Sequence, residues 1–288
     1  MNYDARNLLR WAAILVVMLT AIVAITESTH PAFGATNPTR LANIKRRGEL
    51  VIGIEASFPP YEYIEAGKII GFDADLAQLM AKALGVKAKL IDVPLTGAIP
   101  ALLAGKYDTL ISGITITPER AKRVAFSVPY GEATASFLVL ASSPFKTPKD
   151  LVGKRIAVQL GGAGETQALS WSEESKKQYG SGFGEILRFQ TQPDTHLAVQ
   201  AGRADAAIDS LPSLSLLMTK NPGKFRVVPG LGKRAFFGIA VRKQDNELRQ
   251  FYNTQIRTLK QNGQLAALQK KWLGFASEIP DELPDFAR

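Results

Sequence analysis

Within residues 111–120, ISGITITPER, three hydroxyl residues, a glycine and an arginine surround the join between an apolar strand, read over 107–111, and the start of a helix. Thr117 is a good N-cap, and Pro118 suits the first helical position because proline's missing N–H would have no intrahelical partner there. Arg120 then falls in the first turn. Unpaired N–H groups and the helix dipole favour an anion at such an end, and a guanidinium adds a bidentate fork that stays charged. Ser112 and Thr115 can supply hydroxyl donors from the strand end. The combination would trap a carboxylate; the plainer alternative is that Arg120 pairs with Glu119 or sits in water.

From Glu49 onward, short apolar strands alternate with amphipathic helices, the pattern of an α/β protein with mostly parallel sheets. Strands are predicted at 50–54, 89–93, 107–111, 137–141, 155–159, 206–209, 225–228 and 237–242, with a hairpin over 61–71 turning at Ala66-Gly67. Helices are predicted over 73–84, 97–104, 165–171, 195–201 and 211–219, with two more across 245–272 separated by Gly263 and another starting at Thr147-Pro148. The first of these buries Leu76, Leu79, Met80 and Ala83 at helical spacing, and Pro100 is expected in the first turn of the second. The chain then divides into a first lobe over 36–136, a second over 137–233 and a return to the first over 234–288. Two crossings are implied, near 132–137 and 232–237. A ligand cleft belongs at the carboxyl ends of the strands.

The chain of 288 residues is long enough for two lobes, and 46% hydrophobic with 21% charged residues excludes disorder. Residues 1–35 read as a secretory signal peptide, removed on export: Arg6 and Arg10 precede an apolar run over 11–25, and Ala32-Phe33-Gly34-Ala35 follows. The run is short for a bilayer span, although an uncleaved anchor is the alternative. With no cysteine, neither a disulfide nor a lipidated anchor is available, so a free periplasmic protein is expected. Net charge is +9, but the basic residues are scattered and no aromatic platform interleaves them. Nucleic acid is therefore not an expected partner. No phosphate-binding loop, dinucleotide spacing or cluster of metal-ligating residues is present, and no cofactor or metal is expected.

Several segments together resemble the periplasmic solute-binding proteins of polar amino-acid ABC importers, family 3 of the extracellular solute-binding proteins. They are Gly53-Ile54-Glu55-Ala56-Ser57-Phe58-Pro59-Pro60-Tyr61, Gly71-Phe72-Asp73-Ala74-Asp75-Leu76, Ile99-Pro100-Ala101-Leu102, the 111–120 motif, Gly202-Arg203-Ala204-Asp205-Ala206 and Asp245-Asn246-Glu247-Leu248. The resemblance covers nearly all of 41–274. It implies a two-lobed, hinged clamshell of type II-like topology that closes on a polar amino acid or related small carboxylate and docks, as a monomer, on a membrane permease. Arg120 matches the residue that forks onto the ligand carboxylate, with Thr115 and the backbone near Ser112 and Gly113 as companions. Phe58 matches an aromatic that packs on the ligand, Leu95 stands where many members carry a second aromatic, and Glu55 lies where members place a polar group towards the ligand side chain.

The second lobe departs from the family pattern. Gly161-Gly162-Ala163-Gly164 lacks the usual hydroxyls, although N–H groups around Gly162 and Ala163 can still grip an anion at a helix start. The acid that receives the ligand's ammonium should fall at Ser210, whereas the carboxylate is at Asp209, and successive strand residues face opposite sides. Either the strand end presents Asp209, or Ser210 caps its helix and the ligand lacks an ordinary α-amino group. The main rival from another class is an enzyme, because cyclohexadienyl or arogenate dehydratases look similar. Proton transfer would then fall to Glu55, Glu165 or Asp209. His30 lies in the signal segment, and His196 reads as a helix-surface or core histidine away from any cleft motif. A binding protein rather than an enzyme is the preferred reading.

Overall fold

In the computed structural model, residues 38–230 and 234–287 are described. The expected signal segment, 1–35, lies outside the described residues, as do positions 231–233 in the second expected crossing. Helix α1 (Arg40–Arg47), capped by Thr39 and closed by Gly48, leads into β1 (Glu49–Ile54). Strands β2 (Ser57–Phe58), β3 (Glu62–Glu65) and β4 (Lys68–Ile70) form a small antiparallel sheet turning at Ala66 and Gly67. Then follow α2 (Phe72–Leu84), β5 (Lys87–Asp92), α3 (Leu95–Leu103), β6 (Thr109–Leu110), α4 (Pro118–Ala121) and β7 (Ala125–Phe126).

The chain leaves this sheet through β8 (Gly131–Glu132) and builds a second from β9 (Ala135–Leu140), β10 (Arg155–Gln159), β11 (Glu185–Phe189), β12 (Ala206–Ser210) and β13 (Phe225–Val228). Helices α5 (Ala163–Tyr179), α6 (Gln192–Gln200) and α7 (Leu211–Lys220) connect those strands. It returns through β14 (Phe236–Phe237) and β15 (Ala240–Val241) to α8 (Asn246–Gln261) and α9 (Gln264–Leu273). The two crossing strands, β8 and β14, pair antiparallel, and Arg234 beside them forks onto Glu132, its Nη2 2.8 Å from Oε2.

The sheet orders are β5-β1-β6-β15-β7 and β11-β10-β12-β9-β13. In each, the first strand of the parallel units, β1 or β10, lies between the next two, β5 and β6 or β11 and β12, and the strand that returns through or arrives from the crossing, β15 or β9, is inserted next. That inserted strand runs antiparallel to both neighbours. The sheets are thus mixed, where the alternating sequence pattern predicts mostly parallel ones: the βαβ units are parallel, but a strand entering from the other lobe comes from the opposite direction.

Local departures have local causes. The strand expected at 237–242 is broken into β14 and β15 at Gly238, whose position is packed tightly against Ile116 and Phe126. Helix α3 starts at Leu95, so Pro100 lies inside it rather than in its first turn. The helix predicted at 165–171 runs as α5 from Ala163 to Tyr179, and the Thr147-Pro148 start yields only a 3-10 turn, Pro148–Leu151. On α2 the buried face is Leu76, Ala77, Met80, Ala81 and Leu84, so Ala83 turns to solvent. That face packs with Leu50, Ile52, Tyr252 and Ile256 on one side of the first sheet, while Tyr107, Leu110, Ile114 and Phe126 fill the other. The second sheet is likewise packed on both faces. Among the described residues, no helix is long and apolar enough to cross a membrane.

Gly71 joins the small sheet to α2 at φ 129°, and a Cβ there would lie 2.2 Å from the Tyr61 carbonyl oxygen. Gly71→Ala is expected to lower stability by about 1–3 kcal/mol through this overlap with backbone; urea unfolding measures it.

Candidate functional site

Arg120 is positioned by its own turn. Thr117 caps α4 by accepting the Arg120 N–H at 3.3 Å, with Pro118 at the first helical position. The guanidinium curls back so that Nη1 donates to the Thr115 carbonyl at 3.1 Å, while Nη2 reaches the second lobe and donates to the Gly161 carbonyl at 3.0 Å. Among the described residues no carboxylate lies within ion-pair distance, so neither the Glu119 pair nor a fully solvated side chain is found. Desolvation pulls its pKa down to about 10, although the fields of Glu55 and Glu119 act the other way. A partly buried cation held by neutral carbonyls leaves donor capacity for an anion.

The second lobe meets it with the start of α5. Gly161 N–H is held by Glu165 Oε2 at 2.8 Å, and Gly162 N–H by the Gln159 carbonyl at 3.0 Å. Glu165 N–H bonds the Gly162 carbonyl at 3.2 Å, and no side chain caps the helix. Among the described residues, the N–H groups of Ala163 and Gly164 have no acceptor, and both residues line the same cavity as Arg120. They are the orphan donors that every helix start presents, here aimed at a cleft.

At the end of β12, side chains alternate between two helices: Ile208 packs with Ala168 and Trp171 of α5, and Ala207 with Ala198 and Val199 of α6. Asp209 continues on the α6 side and Ser210 on the α5 side, yet both reach the cavity because it sits at the strand's carboxyl end. The alternative in which Ser210 caps its helix is not what the structure holds. Ser210 stands at the N-cap of α7 without a side-chain cap bond, and its Oγ is buried near Tyr61 with no hydrogen-bond partner.

Asp209 Oδ1 accepts the Ser210 N–H at 2.6 Å, and Oδ2 lies 3.0 Å from His196 Nε2. His196 is therefore not remote from the cleft, as its sequence surroundings suggested; it is buried directly behind a cleft carboxylate. Gln167, one turn into α5 from Ala163, also lines the cavity with Oε1 buried and unpartnered, as do Gln159 and Gln192. Sequence reading missed these glutamines. Only the i+4 spacing of Gln167 from Ala163 offered a signal.

In the first lobe, the Phe58 ring stacks on Tyr61 at a centroid distance of 5.0 Å and meets Phe237 edge-on at 6.3 Å. Gly113 (φ 47°) permits this, since a Cβ there would come within 2.8 Å of the Phe58 ring. Ser112 Oγ accepts the Glu55 N–H at 2.8 Å and donates to Glu62 Oε1 at 2.9 Å, and Gly113 N–H donates to Asp73 Oδ2 at 2.5 Å. These donors, expected to face the ligand, are turned inward; Ser112 and Gly113 shape the loop instead. Burial raises both carboxyls beneath it, Glu62 well above the usual range and Asp73 to about 6.

Glu55 is buried, and its Oε1 accepts from Gln159 Nε2 across the cleft at 2.5 Å and from Ser57 Oγ at 3.2 Å. Desolvation pushes its pKa up to about 7.

Every residue expected at the site, Leu95 and Thr115 included, lines this one cavity of about 60 Å³. That volume holds about two waters, so an organic ligand enters only when the Gln159–Glu55 and Arg120–Gly161 contacts part. Arg120, Leu95, Gly162 and Ala163 also border an adjoining cavity of about 230 Å³. A larger groove of about 790 Å³, along Lys260, Leu265 and Glu278, contains none of these residues.

The chain matches bacterial extracellular solute-binding proteins, family 3, over residues 50–275. It is 30% identical over 267 residues to the L-cystine-binding protein TcyJ of Escherichia coli, covering 91% of this chain and 95% of that one. It is 31% identical over 266 residues to an L-arginine-binding protein of Pseudomonas aeruginosa, covering 89% and 96%. Among solved structures, a mutant of ArgBP from T. maritima is similar with a TM-score of 0.72 and 40% identity, over 82% of this chain and 100% of that one. The ancestral amino acid-binding protein AncCDT-1, a precursor of cyclohexadienyl dehydratase, gives 0.73 and 34% over 82% and 100%. With a match that runs through both lobes and relatives aligned over nearly their whole length, the chain belongs to family 3 of the bacterial extracellular solute-binding proteins.

Proposed function

We propose that this protein captures an α-amino acid between its lobes and delivers it to the permease of an ABC importer. The observation that carries this reading is the pairing, in one cavity, of anion donors without an anion and acceptors without a donor. Arg120 and the N–H groups of Ala163 and Gly164 supply the first set. Ser210 Oγ and Gln167 Oε1 supply the second, and beside them the Asp209 carboxylate, held by the Ser210 N–H and His196, keeps lone pairs to share. A zwitterion satisfies both sets, and leaving either unmet in a closed cleft is costly. Phe58, Phe237 and Leu95 supply apolar walls, and Glu55 with Gln159 offers polar contacts to a side chain. A desolvated carboxyl at that place favours a cationic side chain, and the arginine-binding relatives make L-arginine the first candidate.

The lobes take the boundaries 36–136 with 234–288, and 137–233. The mature protein works as a monomer in the periplasm, freed from its signal peptide and without a lipid anchor. A ligand held by both lobes favours the closed state by its differential affinity, which couples capture to docking. The protein acts as a binder; turnover of prephenate or arogenate would reverse that assignment.

A thermal-shift screen across amino acids and small carboxylates tests the reading, with L-arginine expected to raise the melting temperature. Arg120→Ala is expected to weaken binding by about a hundredfold, or roughly 3 kcal/mol; unchanged affinity by calorimetry would remove the carboxylate assignment. Glu55, titrating at about 7, is near half-protonated at neutral pH, and a cation set against it lowers its pKa. Arginine binding at pH 7 should therefore release up to about half a proton, and affinity should rise with pH through this range. Calorimetry in buffers of different ionisation enthalpy reads the release, which Glu55→Gln should abolish.

A further inference from the structure

We propose that His196 is a positioning residue for the ligand's α-ammonium: its ring fixes Asp209 at the end of β12, where the carboxylate sets how strongly the cleft prefers an amino acid over the same molecule without the amino group. This rests on the amino-acid reading above.

The geometry is that of a carboxylate held at both oxygens. Oδ1 is folded onto the following peptide by the Ser210 N–H at 2.6 Å, and Oδ2 is met by His196 Nε2 at 3.0 Å. An ionised carboxylate only accepts, so Nε2 carries a proton in this contact. Both side chains are buried, Asp209 98% and His196 90%, which makes the pair unlike an exposed ion pair whose partners wander. Without the ring, Asp209 would keep only the local bond to its own neighbour and could turn away from the cavity.

No other charged group competes for His196. The elements packed on α6 are β2, β9, β10, β11 and β12. Strands β2 and β9 contain no titratable side chain. On β10, Arg155 is bound to Asp205; on β11, Arg188 is bound to Glu165, and Glu185 is exposed at the far end from the cleft. On α6 itself Asp194 caps its own helix with Thr191. Asp209 is what remains.

Held in this way, the Asp209 carboxylate stands beside the unpartnered Ser210 Oγ, and the two form a receptor for an ammonium.

The experiment measures affinity for L-arginine and for δ-guanidinovalerate, the same molecule lacking the α-amino group, at one fixed pH. If another amino acid leads the screen above, it and its desamino analogue are used. Both probes carry the same side chain and carboxylate, so effects of Glu55 and Arg120 cancel in the ratio of the two affinities. The wild type should prefer the amino acid by roughly a hundredfold. His196→Leu should reduce the preference to a few-fold. His196→Gln, which keeps a nitrogen donor, should restore much of the preference. A wild-type ratio in His196→Leu, or no recovery in His196→Gln, would overturn the proposal; should the leucine variant fail to melt cooperatively, His196→Ala takes its place. Equal wild-type affinity for both probes would also defeat it while leaving the carboxylate grip standing, whereas no wild-type response to any amino acid would defeat the reading beneath it.

Discussion

A guanidinium drawn partly out of water without an acidic partner is an incomplete structure. Arg120 is held in that condition by two carbonyls, one from its own loop and one from the opposite lobe, so its charge is oriented but not neutralised. The rest of the site can be understood as what such a cation requires: a second set of anion donors at the start of α5, a dry wall of aromatic and aliphatic side chains, and a loop firm enough to keep the fork aimed. Preorganisation of this kind limits the reorganisation a ligand must provoke, which is where affinity is usually lost.

Firmness comes from below. Ser112 and Gly113 are fastened to Glu62 and Asp73, two fully buried carboxyls whose burial favours their protonated forms. Tyr130 adds a hydroxyl donor to Asp73 at 2.8 Å. The loop that looked like a source of free donors is therefore tied into a buried polar network, in which Glu62 Oε2 and Asp73 Oδ1 keep no partner. The free donors come from Arg120 and from α5, one set on each lobe.

The two lobes touch through groups that a ligand would displace or share. Gln159 bonds Glu55 and Gly161 bonds Arg120 across the cleft, while the crossing strands pair beside it, with Phe237 of β14 lining the cavity and the Glu132–Arg234 fork outside it. A ligand between the lobes would exchange the cleft contacts and leave the strand pairing at the crossing to persist through a hinge motion.

Residues whose role depends on their immediate neighbours were legible in the sequence. Thr117 and Pro118 define a helix start whatever surrounds them, which put Arg120 in its first turn; the Phe-Pro-Pro segment, expected as a loop after β1, instead places Phe58 in the short strand β2. The alternation of strands and helices gave the two-lobed α/β architecture. What depended on which groups from distant segments come to share one space was decided only by the tertiary structure. His196 gained its meaning from Asp209 on another element, Ser112 and Gly113 lost their free donors to Glu62 and Asp73, and Gln167 entered the site because α5 begins two residues earlier than its pattern suggested. Hydrogen-bond partners are chosen by proximity in the folded chain, and a linear pattern specifies faces and spacings but not which face meets which.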